Sequence, residues 1–322
     1  MTDSLRSWLL GAVAVAVSAM PLSVTANERI RVIDSTKGPY DHFAVHSAKA
    51  QGYFEKQGLD VPIIFGDGGA ATLQALITGS QDIAVGVGVL SVIGAYSKGA
   101  PIKIIGNTFK GVGNVIWYVR ADSPIKSFKD LNGKELVYSR PGATSHLAVQ
   151  NIAKVVGIKP KFVSVGGMAA ARTQAMSGQV DTGWLAAPFN YELIRSGQAR
   201  IIGTGKEATE LKELTVRVVA ANANWLAKNR EAAKKFMRAL NQGREFIYTP
   251  AGIEAYAKQW KLDPVDAKRG PEFAPKEVTE INKIFGFEPL IRQASELKYL
   301  NTPLPLEKAR GMLDLVGAEG AR

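Results

Sequence analysis

Cysteine is absent from the chain of 322 residues, which excludes disulfides, thiolate metal sites, cysteine nucleophiles and a lipidated cysteine together. Without cross-links, a fold of this size must be held by its core. Long apolar runs are missing after the first 26 residues, so the mature chain is expected to be soluble. Dense basic runs are lacking too. The 40 Lys and Arg are dispersed among 29 Asp and Glu, with no basic tract interleaved with stacking aromatics, so the formal charge of +11 does not point to nucleic acid. It describes a solvated basic surface, or a field that collects small anions. No Ser/His/Asp spacing identifies a catalytic triad. His42 and His46 stand i, i+4 and could hold a metal on one helix face, but the Glu of a His-Glu-x-x-His motif is missing. No metal, cofactor or nucleic acid is expected, and the chain is expected not to be an enzyme.

What is present begins with Arg6, an apolar run from Trp8 to Ala19, and the small-residue exit Val24-Thr25-Ala26. Residues 1–26 therefore read as a secretory signal peptide cut near Ala26, so the mature chain is expected to be exported. The remaining length suits two lobes, each with its own core.

From Arg29 onward, short apolar strands alternate with amphipathic helices, the pattern of an α/β fold with a largely parallel sheet. Strands are predicted over 30–34, 61–65, 83–85 and 102–105. In such sheets ligands sit beyond the carboxyl ends of the strands, where loops meet helix N-termini. Thr36, Tyr40, His42 and Phe43 after the first strand, and Gly86 to Val89 after the third, are candidate contacts.

The stretch from Glu135 to Val156 predicts a strand turning directly into a helix. Leu136, Val137 and Tyr138 have strand composition; Ala148, Ile152, Val155 and Val156 fall on one helical face before Gly157. Pro141 and Gly142 tighten the turn, and Thr144 or Ser145 can cap the first-turn N–H groups, which otherwise form an anion site. His146 could assist an anion when protonated, or be an ordinary first-turn residue. Pro188 suits the first turn of another helix, Asn224 is expected to cap a further one, and 215–221 reads as the strand by which the chain returns.

An internal echo supports two related halves: Gln74-Ala75-Leu76-Ile77-Thr78-Gly79-Ser80-Gln81-Asp82 resembles Gln174-Ala175-Met176-Ser177-Gly178-Gln179-Val180-Asp181 with one gap. In both copies a helix ends at glycine and the chain enters a strand through Asp.

These residues carry a family resemblance. Gln51-Gly52-Tyr53-Phe54-Glu55-Lys56-Gln57-Gly58-Leu59-Asp60-Val61 resembles the first-helix signature of periplasmic solute-binding proteins of ABC importers, in the branch of sulfonate, taurine, nitrate and thiamine-precursor binders. Phe128-Lys129-Asp130-Leu131-Asn132-Gly133-Lys134 is similar to the segment opening their second lobe, and Pro141-Gly142-Ala143-Thr144-Ser145-His146 to their ligand-facing turn.

The resemblance implies the type II periplasmic-binding-protein fold, with two lobes, each a central mixed sheet flanked by helices, and a ligand cleft between them. Residues 27–110 and 222–322 are expected to form lobe 1, and 111–221 lobe 2. It also implies a monomer that captures a small-molecule anion, a sulfonate or an aromatic or aliphatic carboxylate, for an ABC permease in the inner membrane. By motif position the cleft residues are Thr36, Tyr40, His42, Phe43, Gly88, Val89, Ser139, Gly142, Thr144, Ser145, His146, Met168, Trp184 and Pro188. The alternatives are a binder of a thiamine pyrimidine precursor or of nitrate, and a same-fold enzyme of cofactor biosynthesis. The pyrimidine synthases among such enzymes carry a cysteine-rich motif that this chain lacks.

Overall fold

The computed structural model describes residues 27–66 and 69–318; the expected signal peptide lies outside them. The first strand region divides into β1 (Glu28–Arg29) and β2 (Val32–Asp34), followed by α1 (Phe43–Ala50). The second divides into β3 (Leu59–Asp60) and β4 (Ile63–Phe65). Pro62, which has no N–H to donate, interrupts this second region, and its carbonyl accepts from Val32 N at 3.1 Å. Then come α2 (Gly69–Ile77), β5 (Ile83–Gly88), α3 (Val89–Ser97) and β6 (Ile102–Lys110). The chain now leaves this sheet for a second lobe.

That lobe contains β7 (Val115–Arg120), β8 (Glu135–Tyr138), α4 (Thr144–Val156), β9 (Lys161–Ser164), α5 (Met168–Met176), β10 (Gly183–Ala186), α6 (Glu192–Arg195) and β11 (Ala199–Thr204). The return strand β12 (Thr215–Asn222) inserts between β5 and β6, antiparallel to both, giving the first sheet the order β4-β2-β5-β12-β6. Its eight residues are all buried, the polar Thr215, Arg217 and Asn222 included. The return to the first lobe therefore comes before Thr215, not at residue 222. The outgoing and returning segments meet where Gly111 N donates to Leu214 O at 2.8 Å.

In the second lobe, β10-β7-β11 is an antiparallel sheet, and β8-β9 a separate parallel pair. Side chains join them. Thr182 Oγ1 accepts from Val137 N at 3.1 Å and donates to Glu135 O at 2.9 Å, standing in for a ladder partner. The indole of Trp117 donates to Val137 O at 2.8 Å.

The internal echo has one local structure in both copies. The two helices end at Gly79 and Gly178, with φ of 73° and 77°, a left-handed conformation that glycine adopts freely. Asp82 then accepts from Arg31 N at 2.8 Å, and Asp181 from Glu135 N at 2.9 Å. Each carboxylate thus ties the chain just after a helix to the start of another strand, β2 in one lobe and β8 in the other.

Three local expectations change. Asn222, not Asn224, caps α7 (Ala223–Lys228), because its side chain accepts from Asn224 N and Trp225 N. Pro188 lies in a turn, and α6 begins only at Glu192. Neither Thr144 nor Ser145 caps α4; the N-cap is Ala143, and Ser145 Oγ accepts from Ser139 N at 3.0 Å. After α7, the long α8 (Arg230–Ile247) buries Phe236, Met237 and Leu240, with Phe236 stacked on Phe54 at 5.1 Å.

Candidate functional site

A cavity of about 410 Å³ lies between the two lobes. Its walls come from the carboxyl ends of strands: Ser35 and Thr36 after β2, Gly86 and Gly88 of β5, Ser139 to Ser145 after β8, and Trp184 and Ala186 of β10. Helices α1 and α2 begin at the lining residues His42 and Gly69, and three more follow lining residues directly: Gly88 precedes α3, Ala143 precedes α4 and Gly167 precedes α5. None of the three has a side-chain cap. Their first N–H groups and the positive ends of their dipoles therefore border one space without a side-chain acceptor.

Of the residues expected at the cleft, Thr36, His42, Gly88, Ser139, Gly142, Thr144, Ser145, Met168 and Trp184 line the cavity. Tyr40, Phe43, Val89, His146 and Pro188 do not. Tyr40 is fully buried, donating to Ile247 O and meeting Tyr256 edge to face at 4.9 Å. Phe43 packs on the same Tyr256 at 5.4 Å. Val89 is a buried first-turn core residue, and Pro188 is buried while its neighbour Phe189 reaches the cavity. His146 stacks on Tyr138 at 4.4 Å, and its Nδ1 lies 2.9 Å from the Tyr299 hydroxyl.

Sequence reasoning missed Arg217, which lines the cavity from the middle of β12. A charged residue inside an otherwise apolar strand was the available signal. Ser35, Lys37, Phe65, Ser91 and Phe189 were also missed. No local pattern distinguishes them.

Beneath the cavity lies a buried charged cluster. Asp34 is fully buried; its Oδ1 is 2.6 Å from His42 Nδ1 and its Oδ2 is 2.8 Å from His46 Nε2. Both histidines of the i, i+4 pair thus turn onto one carboxylate. Burial pushes the Asp34 carboxyl up, but the charge and hydrogen bonds of the two imidazoles hold it below the usual carboxylate range. On His42, burial opposes the charge, yet the Asp34 and Asp41 carboxylates outweigh both burial and the Arg217 guanidinium and raise its pKa. Arg217 Nη2 lies 3.3 Å from both Asp41 Oδ2 and Asn114 Oδ1, and its guanidinium covers the Phe109 ring at 4.3 Å. Burial lowers its pKa, against the pull of Asp41 and Asp34.

Three buried nitrogens on lining residues have no hydrogen-bond partner among the described residues: His42 Nε2, Trp184 Nε1 and Arg217 Nε. The indole and guanidinium nitrogens can only donate. Buried donors are rarely left unpaired in a folded protein, and these three lie just behind the cavity wall. The apolar part of the wall is supplied by Phe65, Met168, Trp184 and Phe189.

Comparison with known proteins agrees with this architecture. The model of the NMT1/THI5 like family matches residues 40–251. The chain belongs to the NMT1/THI5-like family. Its fold is that of type II periplasmic binding proteins. The alkanesulfonate-binding protein SsuA from Xanthomonas axonopodis pv. citri, bound to MOPS, superposes with a TM-score of 0.77 at 17% identity, covering 90% of this chain and 99% of that one. The periplasmic aliphatic sulphonate binding protein SsuA from Escherichia coli gives 0.71 at 18%, covering 88% and 97%.

Among curated family relatives, 4-amino-5-hydroxymethyl-2-methylpyrimidine phosphate synthase of Candida albicans is 23% identical over 258 residues, covering 75% of this chain and 73% of that protein. A distant relative with an enzyme's name overturns the expectation that the chain is not an enzyme. Membership of this NMT1/THI5-like family does not separate carriers from catalysts. Among the described residues, no helix is long and apolar enough to cross a membrane.

Proposed function

We propose that this protein is the periplasmic substrate-binding component of an ABC importer. It closes two lobes on a small organic anion, a sulfonate or an aromatic or aliphatic carboxylate, and delivers it to a permease in the inner membrane. The observation that carries this reading is that α3, α4 and α5 begin without side-chain caps directly after residues that line one cavity between the lobes. Oxygen acceptors bearing negative charge suit the N–H groups of such helix starts. Thr36, His42, Ser139, Thr144 and Ser145 supply further polar contacts, and Phe65, Met168, Trp184 and Phe189 cover the ligand body. Micromolar capture corresponds to roughly 8 kcal/mol. Hydrogen bonds to a charged group contribute about 1.5 to 3 kcal/mol each, so a few of them with one apolar contact suffice after ordering costs.

A thermal-shift screen of methanesulfonate, benzenesulfonate, benzoate, nitrate and aminopyrimidines tests the reading, because a ligand held only by the folded state raises the melting point. The best hit should bind Thr144→Val, which keeps the shape of a cavity-lining side chain but loses its hydroxyl, about 10-fold more weakly by calorimetry. A screen in which only neutral pyrimidines stabilise the protein would reject the anion reading.

A second reading, an enzyme acting on a pyrimidine or its precursor, is favoured by the names of the curated relatives. Mass spectrometry of a stabilising ligand after long incubation separates the two: capture returns it unchanged, whereas catalysis yields a product.

A further inference from the structure

We propose that His146 is a positioning residue of the ligand-facing turn and its proton-sensitive bridge to the first lobe: unprotonated at Nδ1 it holds Gly142 and Tyr299 together, and a proton there parts them. This rests on the lobe-closure reading and adds to it the protonation state that closure needs.

One ring nitrogen makes both contacts. The backbone N–H of Gly142, which can only donate, meets His146 Nδ1 at 3.3 Å, so Nδ1 presents a lone pair and the neutral ring keeps its proton on Nε2. The Tyr299 hydroxyl, 2.9 Å from the same atom, is then the donor of that bond. Burial pushes this hydroxyl up to about 12, the nearby Gly142 N–H offsetting it only in part, so it keeps its proton at neutral and acid pH. A proton on Nδ1 would take the acceptor from both donors at once.

Gly142 stands where the lobes meet. Its carbonyl accepts from Ser91 Oγ of α3 at 2.8 Å, and a Cβ on it would lie 2.5 Å from that hydroxyl oxygen and 3.4 Å from the Tyr299 ring. Tyr299 is itself packed on α3, since a Cβ on Gly94 would lie 3.0 Å from its carbonyl oxygen. Residues 139–145 line the cavity, whereas His146 stacks behind them on Tyr138 at 4.4 Å. The imidazole therefore acts on a ligand through the turn.

The titratable and charged groups nearest the ring are Tyr138 of β8, Arg140 of the turn, and Tyr299 beyond the helix Phe287–Glu296. On the segments packed against α4, Glu207 accepts from Thr204 N, Glu210 is held by Asn151 and Lys154, Glu296 acts on Lys154, and Lys206 is exposed. None of these carboxylates pairs with the imidazole. Burial lowers the His146 pKa and so favours the neutral ring that the two donors require. Closing the lobes releases a proton wherever the open imidazole is charged, and acid opens them.

An interlobe distance tests this without any ligand. The chain has no cysteine, so Glu55→Cys in the first lobe and Lys161→Cys in the second, both exposed, accept one spin label each. Double electron–electron resonance on ligand-free protein frozen between pH 4.5 and 8 should show the lobes drawing apart as pH falls through the His146 pKa. His146→Asn places an oxygen acceptor near the position of Nδ1 and does not titrate, so it should stay closed throughout. His146→Leu offers no acceptor and should stand open throughout. A pH-driven separation that survives in His146→Asn, a closed His146→Leu, or no separation in the wild type overturns the inference.

Nuclear magnetic resonance of the wild-type imidazoles, only three in the chain, needs no variant at position 146. A neutral His146 with its proton on Nδ1, or one still neutral at pH 4.5, overturns the inference as well. Methanesulfonate and benzenesulfonate stay ionised across this range, and their binding should weaken by up to about tenfold per pH unit below the His146 pKa. That slope should vanish in His146→Asn; a slope that persists there overturns the inference and leaves anion capture standing. If neither sulfonate binds at any pH, the capture of sulfonates fails, while the ligand-free distances still decide the role of His146.

Discussion

Ser91 Oγ, in the first turns of α3, donates across the cleft to the carbonyl of Gly142 at 2.8 Å, tying the first lobe to the ligand-facing turn of the second. Close beside it, a Cβ on Gly88 would lie 2.9 Å from the same carbonyl oxygen. The Tyr299 hydroxyl, 2.9 Å from His146 Nδ1, makes a second bridge to α4. Closure thus has its own polar contacts besides those offered to a ligand. In Ser91→Ala the closed arrangement should lose about 0.5 to 1.5 kcal/mol, weakening ligand affinity roughly 2- to 12-fold. Small-angle scattering of the ligand-free variant should show a larger radius of gyration than wild type; an unchanged radius would remove Ser91 from the closing contacts.

Gly86→Ala should damage the site and the fold together. The added methyl would collide with the His42 ring, and φ of 74° is unfavourable for alanine. A loss of about 1 to 3 kcal/mol in urea unfolding is expected, with weaker binding of any hit from the screen. Wild-type stability in this variant would mean that the ring does not sit where it is described.

Tyr40→Phe separates core from contact. The hydroxyl donates to Ile247 O in a fully buried aromatic cluster, so its removal should cost about 1 to 3 kcal/mol by leaving that carbonyl unpaired. Ligand affinity, measured well below the melting transition, should not change. A selective loss of affinity with intact stability would return Tyr40 to the cleft.

The Asp34 and His42 pair sets the sign of a pH effect on stability. Asp34 is held below its usual range, so its contribution is present above about pH 3.9, the unfolded value, and is lost as pH falls through the depressed pKa. His42 is held above its usual range, so its contribution is complete below about pH 6.5 and is lost as pH rises through the raised pKa. The destabilisation of Asp34→Asn relative to wild type, about 3 to 5 kcal/mol when the buried pair is intact, should therefore peak between pH 4 and 6.5 and shrink on either side. Urea titrations across pH 3 to 9 read it directly, and a flat difference would show that the pair does not titrate with folding.

Much of the first lobe and of the ligand-facing turn was legible because its determinants are local. Alternating apolar runs and helical faces gave β2, β5, β8 and α4, and the glycines at 79, 157 and 178 marked helix ends through their left-handed φ. The echo around Asp82 and Asp181 was visible for the same reason, since a helix stop and a strand entry fit within ten residues.

The sequence by itself determined the α/β alternation, the two related lobes, the family and the stretches bordering the cleft, because periodicity, turn chemistry and motif are written in neighbouring residues. The tertiary structure alone decided which side chains in those stretches face the ligand space. Tyr40 and Phe43 turn into the core because Tyr256, far along the chain, offers them an aromatic partner, while His42 between them is drawn to Asp34. Arg217 reaches the cavity only because β12 inserts between β5 and β6. A side chain's direction follows the partners that burial brings to it, and those partners are distant in the chain.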